Sequence, residues 1–138
     1  YSAGEGKRAG FGIGEFLVGV YEPKQDKYLT ISKVGSGATD EEWKRLEGEL
    51  SRLRVKELPS SYVVTKQYEQ DFWVRPSLVL EVVASEISVS PAHSSGYGLR
   101  FPRLISWREK KPEDATSVFE IGKLFLQQKS GGDTDGGK

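Results

Sequence analysis

At 138 residues, with 36% hydrophobic and 29% charged side chains, the chain has the composition of one folded domain rather than a disordered segment. Its 20 basic and 20 acidic residues balance, so no global charge draws it towards a polyanion. The absence of cysteine excludes disulfides and thiolate metal sites, the single histidine (His93) argues against a histidine-built zinc site, and no apolar run approaches the roughly 20 residues that span a bilayer.

Residues 1–14 are small, polar and glycine-rich, and read as a flexible basic linker or a first edge segment rather than a signal peptide. Lys7 and Arg8 lie among these glycines and can follow a nucleic-acid backbone, although a linker remnant is the commoner meaning of such an arm. The chain holds no methionine, which fits a piece of a longer protein. Glu15 to Tyr21 predicts a strand, Glu22 to Lys27 a turn, and Tyr28 to Val34 a second strand with Leu29, Ile31 and Lys33 on one face. Gly35 and Gly37 then release the backbone. Lys33 beside these glycines can meet a phosphate together with exposed backbone amides. The competing reading is an ordinary surface lysine, since the Gly-Lys-Ser/Thr ending of a P-loop is absent.

Thr39 followed by Glu42 forms a capping box, and Trp43, Leu46, Leu50 and Leu53 recur at helical spacing, with Pro59 as the expected stop. Tyr62 to Tyr68 and Leu78 to Ala84 predict strands, separated by a loop with aromatic anchors at Asp71 to Pro76. Short strands follow at Glu86 to Val89, Leu99 to Phe101 and Leu104 to Trp107. Val118 to Gln127 predicts a closing helix that buries Val118, Ile121, Leu124 and Phe125. From Lys129 the glycine-rich end predicts a disordered tail. Several short strands with one capped helix suggest a small barrel rather than a layered α/β domain.

The strongest chemical signal is local. Arg100, Arg103, Arg108, Lys110 and Lys111 face a single acid, Glu109, and alternate with Phe101, Leu104 and Trp107. Guanidinium forks suit phosphate oxygens, and such contacts hold a phosphate chain without reading bases. A charged strand edge guarding against aggregation is the competing meaning. Glu81 sits inside the apolar strand Val79 to Val83 and needs a partner. It either forms a structural ion pair with an arginine or helps place a basic side chain that touches substrate. His93, among loop serines, lacks the marks of a catalytic triad.

Five segments, in order, resemble the C-terminal oligonucleotide-binding (OB) domain of ATP-dependent DNA ligases of the archaeal and eukaryotic replicative type. They are Gly6-Lys-Arg-Ala-Gly10; Ile31-Ser-Lys-Val-Gly-Ser-Gly37 with Thr39-Asp-Glu-Glu42; Ala84-Ser-Glu-Ile-Ser-Val-Ser-Pro91; Leu99-Arg-Phe-Pro-Arg103; and Arg108 with Pro112-Glu-Asp-Ala-Thr116. The resemblance implies an all-β fold: an OB-fold small β-barrel with one inserted helix and a short C-terminal helix, over residues 15–128. It also implies a full-length enzyme that uses ATP and Mg2+ to adenylate a lysine, passes AMP to the 5′-phosphate of a nick and seals it.

In that family the adenylated lysine belongs to a Lys-x-Asp-Gly motif on another domain, and no such motif occurs here. The resemblance therefore implies that this fragment alone is inactive and binds no cofactor stably. Arg108, Lys110 and Lys111 correspond to the motif that orients the ATP pyrophosphate. The family pattern Arg-x-Asp-Lys is shortened here to Arg108-Glu-Lys-Lys111, so either Lys110 or Lys111 takes the lysine's role. Lys33, Arg100, Arg103, Lys7 and Arg8 are the expected DNA-binding residues. Expected partners are nicked duplex DNA and the missing nucleotidyltransferase domain, in a monomer with no membrane contact. The expected location is the cytoplasm (nucleoid) for an archaeal source and the nucleus for a eukaryotic one. The alternatives are a non-enzymatic nucleic-acid-binding OB module and a domain whose basic strip meets an acidic protein.

Overall fold

A computed structural model describes residues 1–4 and 12–136, with side chains described as far as residue 128. Lys7 and Arg8 lie outside the described residues. Strand β1 (Phe16–Glu22) and strand β2 (Lys27–Val34) form the expected antiparallel hairpin, pairing from Phe16↔Val34 to Glu22↔Lys27. The register shifts between Val18 and Gly19, so that Val18 opposes Ser32, Gly19 opposes Thr30, and Ile31 bulges between them. A Cβ at Gly19 would stand 2.7 Å from the Leu29 carbonyl oxygen, which explains the glycine. This bulge corrects the simple alternation expected for β2: Thr30, Ile31 and Ser32 are all buried, while Lys33 is exposed.

Helix α1 (Asp40–Leu53) begins as expected, with the Thr39 Oγ1 accepting from the Glu42 N–H at 3.2 Å. Trp43, Leu46, Leu50 and Leu53 form its buried stripe. It ends at Leu53 rather than near Pro59. Arg54 turns extended (ψ 137°) and opens strand β3 (Arg54–Val55). β3 pairs antiparallel with strand β5 (Trp73–Val74), inside the segment expected to be a loop. The Arg54 guanidinium, 3.8 Å from the Phe72 ring centroid, adds a side-chain tie between the same segments.

Strand β4 (Tyr62–Val63) runs parallel to β2 and is shorter than expected, giving way to a 3-10 turn at Lys66–Tyr68. Side chains here replace a ladder: Ser94 Oγ donates to the Val63 carbonyl (2.6 Å) and Thr65 Oγ1 donates to the Ala92 carbonyl (2.9 Å). Strand β6 (Val79–Val83) pairs antiparallel with strand β9 (Arg103–Arg108), and β7 (Glu86–Val89) with β8 (Tyr97–Arg100).

Helix α2 (Val118–Gly136) packs Ile121 against Val20 and Ile31, and Gln128 exchanges two hydrogen bonds with the Ile87 backbone (2.7 and 2.8 Å). Leu124, expected to be buried, is 48% exposed. The main core joins Phe16, Val34, Trp43, Leu46, Leu50 and Leu104, and also Tyr1 and Ile13 from the N-terminal segment. The result is a strand-built small barrel of OB type with α1 inserted between β2 and β3. Residues of β1 and β6, together with others from β2, β5 and α2, line a groove of about 1040 Å3.

Candidate phosphate-contacting face

One irregularity in β9 sets the site. Glu81 opposes Ser106 and Val82 opposes Leu104, so Ile105 bulges. A regular six-residue strand would put Leu104, Ser106 and Arg108 on one face. With the bulge, Leu80↔Trp107 and Val82↔Leu104 face the core, and Val79↔Arg108, Glu81↔Ser106 and Val83↔Arg103 face outward. Leu104 is only 1% exposed, whereas Arg103 and Arg108 are both exposed.

Two of these arginines carry an acid on their own sheet. Arg108 Nη1 lies 3.2 Å from Glu81 Oε1, and Arg100 Nη1 lies 2.8 Å from Glu86 Oε1. All four side chains are roughly half exposed. Such pairs contribute at most about 1 kcal/mol each and use only part of each guanidinium fork, which leaves the remaining N–H donors open to a phosphate. Among the described residues, Arg103, Lys110 and Lys111 form no salt bridge with an acid. After β9 the Lys110 N–H donates to the Arg108 carbonyl (3.0 Å), a tight turn that keeps the lysine close to the arginine. Lys110 joins Arg108 and Glu81 in lining the groove, and Lys111 does not.

The turn between β8 and β9 forms a second cluster. Phe101 has φ +53°, a left-handed conformation that costs a non-glycine residue about 1–2 kcal/mol. The residue is 74% exposed, between Arg100 and Arg103, with the Arg100 guanidinium 5.7 Å from the ring centroid. Hydrogen bonds hold the turn on both sides. Ser85 N–H donates to the Arg100 carbonyl (2.8 Å), and Ser36 Oγ donates to the Pro102 carbonyl (3.1 Å). Phe101 alternates with the basic residues as Leu104 and Trp107 do, but unlike them it faces solvent; an aromatic residue enclosed by two arginines and followed by proline is the signal in the sequence.

Gly37 ties this turn to β2. It has φ +93°, bridges to Leu104, and leaves no room for a side chain, because a Cβ would stand 2.4 Å from the Leu104 carbonyl oxygen. Lys33, four residues earlier, lies 3.5 Å from Glu15 and 5.8 Å from the Tyr68 ring centroid.

Tyr68 stacks on His93 at 3.9 Å, and His93 Nδ1 is 3.0 Å from Thr30 Oγ1. Burial, with a smaller contribution from Lys33, holds the His93 pKa below its ordinary value and so favours the uncharged ring. No group of three His, Asp or Glu among the described residues is arranged to hold a metal ion. No helix there is long and apolar enough to cross a membrane.

Comparison with known proteins gives this face its context. A family model described as the ATP dependent DNA ligase C terminal region matches residues 9–111. A probable DNA ligase from Dictyoglomus turgidum is 42% identical over 94% of this chain and 23% of its own length. A DNA ligase from Hyperthermus butylicus is 38% identical over 91% of this chain and 22% of its own length. The ligase domain of LigD from M. tuberculosis superposes with a TM-score of 0.58 at 28% identity, covering 75% of this chain and 32% of that one. The chain thus spans under a quarter of the length of these two curated relatives. Matched by the family model over most of its residues, the chain belongs to the ATP-dependent DNA ligase family, as its C-terminal region.

Proposed function

We propose that this domain acts within an enzyme that seals nicks in duplex DNA at the expense of ATP, and that it presents two cationic surfaces to phosphate. Arg108, Lys110 and Lys111 oppose the charge that develops on pyrophosphate as the enzyme adenylates itself. Fixed cations aimed at developing charge stabilise the transition state without reorganising. Lys110 is the better counterpart of the motif lysine, because it shares the groove with Arg108. Lys33, Arg100 and Arg103 contact the DNA backbone, with the exposed Phe101 ring against the minor groove, where apolar side chains wedge between base steps.

The observation that carries this reading is the β9 bulge, which turns Arg103 and Arg108 outward while Leu104 and Trp107 stay with the core. ATP and Mg2+ are used by the complete enzyme. Among the described residues, no group of three His, Asp or Glu is arranged to hold the ion. The relatives named above come from Dictyoglomus turgidum and Hyperthermus butylicus, which supports the reading that the complete enzyme works in the cytoplasm, at the nucleoid.

Radiolabelled ATP tests the reading. The complete ligase should take up covalent AMP, the isolated 138-residue chain should take up none, and Arg108→Ala in the complete ligase should slow uptake at least tenfold. Uptake by Arg108→Ala at the unmodified rate would remove the assignment.

A further inference from the structure

Glu81 is the one acid in β6, flanked by Leu80 and Val82, which point to the core. Its outward-facing neighbours on the strand, Val79 and Val83, are both apolar. Its place on the sheet is diagonal to Arg108, two residues along β6 from the Val79↔Arg108 pair and on the same face. The contact is single, from Nη1 to Oε1 at 3.2 Å, with the arginine side chain 52% and the glutamate 42% exposed. A guanidinium has five N–H donors, so one carboxylate contact leaves the rest of the fork open to a phosphate. The Arg108 backbone is fixed by its pairing with Val79 and by the Lys110 turn. Only the side chain is left to be oriented, and among the described residues Glu81 is the sole acid in an ion pair with it.

We propose that Glu81 is a positioning residue for Arg108, holding the guanidinium in the orientation in which it meets the polyphosphate of ATP. This rests on the reading that Arg108 contacts that polyphosphate. The same carboxylate also weakens the local positive field. Its removal should therefore act in two directions, slowing the step that needs an oriented arginine while leaving ATP attraction unchanged or stronger. A residue that merely supports the fold would not produce that split.

The test is single-turnover self-adenylation of the complete ligase across a range of ATP concentrations, for Glu81→Gln, Glu81→Ala, Arg108→Ala and the Glu81→Ala/Arg108→Ala double variant, with melting temperatures measured alongside. Glu81→Ala should lower the maximal rate about fivefold, the scale of one half-exposed ion pair, with an unchanged or lower apparent KM for ATP. Glu81→Gln, which keeps an acceptor oxygen, should lie between Glu81→Ala and the unmodified enzyme. The double variant should match Arg108→Ala, because Glu81 acts through the arginine. An equal further loss in the Arg108→Ala background, or a raised KM at unchanged rate, would overturn the proposal. If Arg108→Ala is slow and both Glu81 variants are normal, the positioning role alone fails. If Arg108→Ala is as fast as the unmodified enzyme, the underlying reading of Arg108 fails with it.

Discussion

Replacing Phe101 by glycine separates a functional aromatic from a structural one. At φ +53° the native residue bears about 1–2 kcal/mol of backbone strain, which glycine relieves. Against that, glycine adds roughly 0.5–1 kcal/mol of unfolded-state entropy, and the exposed Arg100 cation–π contact at 5.7 Å is worth about 0.5–1 kcal/mol. With the residue 74% exposed, little buried apolar area is lost. The terms nearly cancel, so Phe101→Gly should change stability by less than about 1 kcal/mol in either direction. Binding should respond differently: loss of an aromatic contact to bases is worth about 1–3 kcal/mol, or at least a fivefold weaker Kd. Denaturant unfolding of the 138-residue chain measures the first quantity, and fluorescence anisotropy of the complete ligase on a nicked duplex the second. A loss of more than about 2 kcal/mol in stability, or unchanged affinity, would refute the assignment of the ring to DNA.

Three further outcomes concern the scaffold. Gly37→Ala would put a Cβ 2.4 Å from the Leu104 carbonyl oxygen at φ +93°, and should destabilise the chain by about 3 kcal/mol or more in chemical denaturation; a loss under about 1 kcal/mol would mean that the Gly37–Leu104 approach is not tight. Thr39→Ala removes the α1 cap and should cost about 1 kcal/mol, with Thr39→Ser recovering most of it. Because the folded state holds His93 below its ordinary pKa, the unfolded chain binds the extra proton first as pH falls. Stability should be level above about pH 7 and decline as pH drops through roughly 6.5, with a slope of at most about 1.4 kcal/mol per pH unit. His93→Gln should flatten that slope, and a rise in stability on acidification would contradict the assignment.

Where local rules decide, the sequence was readable. The Thr39–Glu42 box, the Trp43/Leu46/Leu50/Leu53 stripe and the β1–β2 hairpin need only neighbours along the chain, and all appear as expected. The extra residues at Ile31 and Ile105 were not readable, because a bulge is defined by its partner strand and a single residue inverts a period-two pattern. The same applies to β3 and β5, two-residue strands that exist only through each other, and to Tyr1 and Ile13, core residues in a polar, glycine-rich segment. At the site, the basic cluster was legible as composition. Its division was not: Arg100 and Arg108 pair with acids at 2.8 and 3.2 Å, while Arg103 and Lys110 have no acid partner among the described residues. That difference depends on which residues the folded sheets place opposite and diagonal to one another.

The most direct test is a salt titration of the complete ligase on nicked duplex, intact duplex and single-stranded DNA, with and without Arg100→Ala/Arg103→Ala. Each phosphate contact contributes about 0.9 to the slope of log Kobs against log salt. The unmodified protein should prefer the nicked duplex, and the double variant should bind more weakly with a slope shallower by about 2. An unchanged slope, or a preference for single strands, would contradict an outward phosphate-gripping face on this domain.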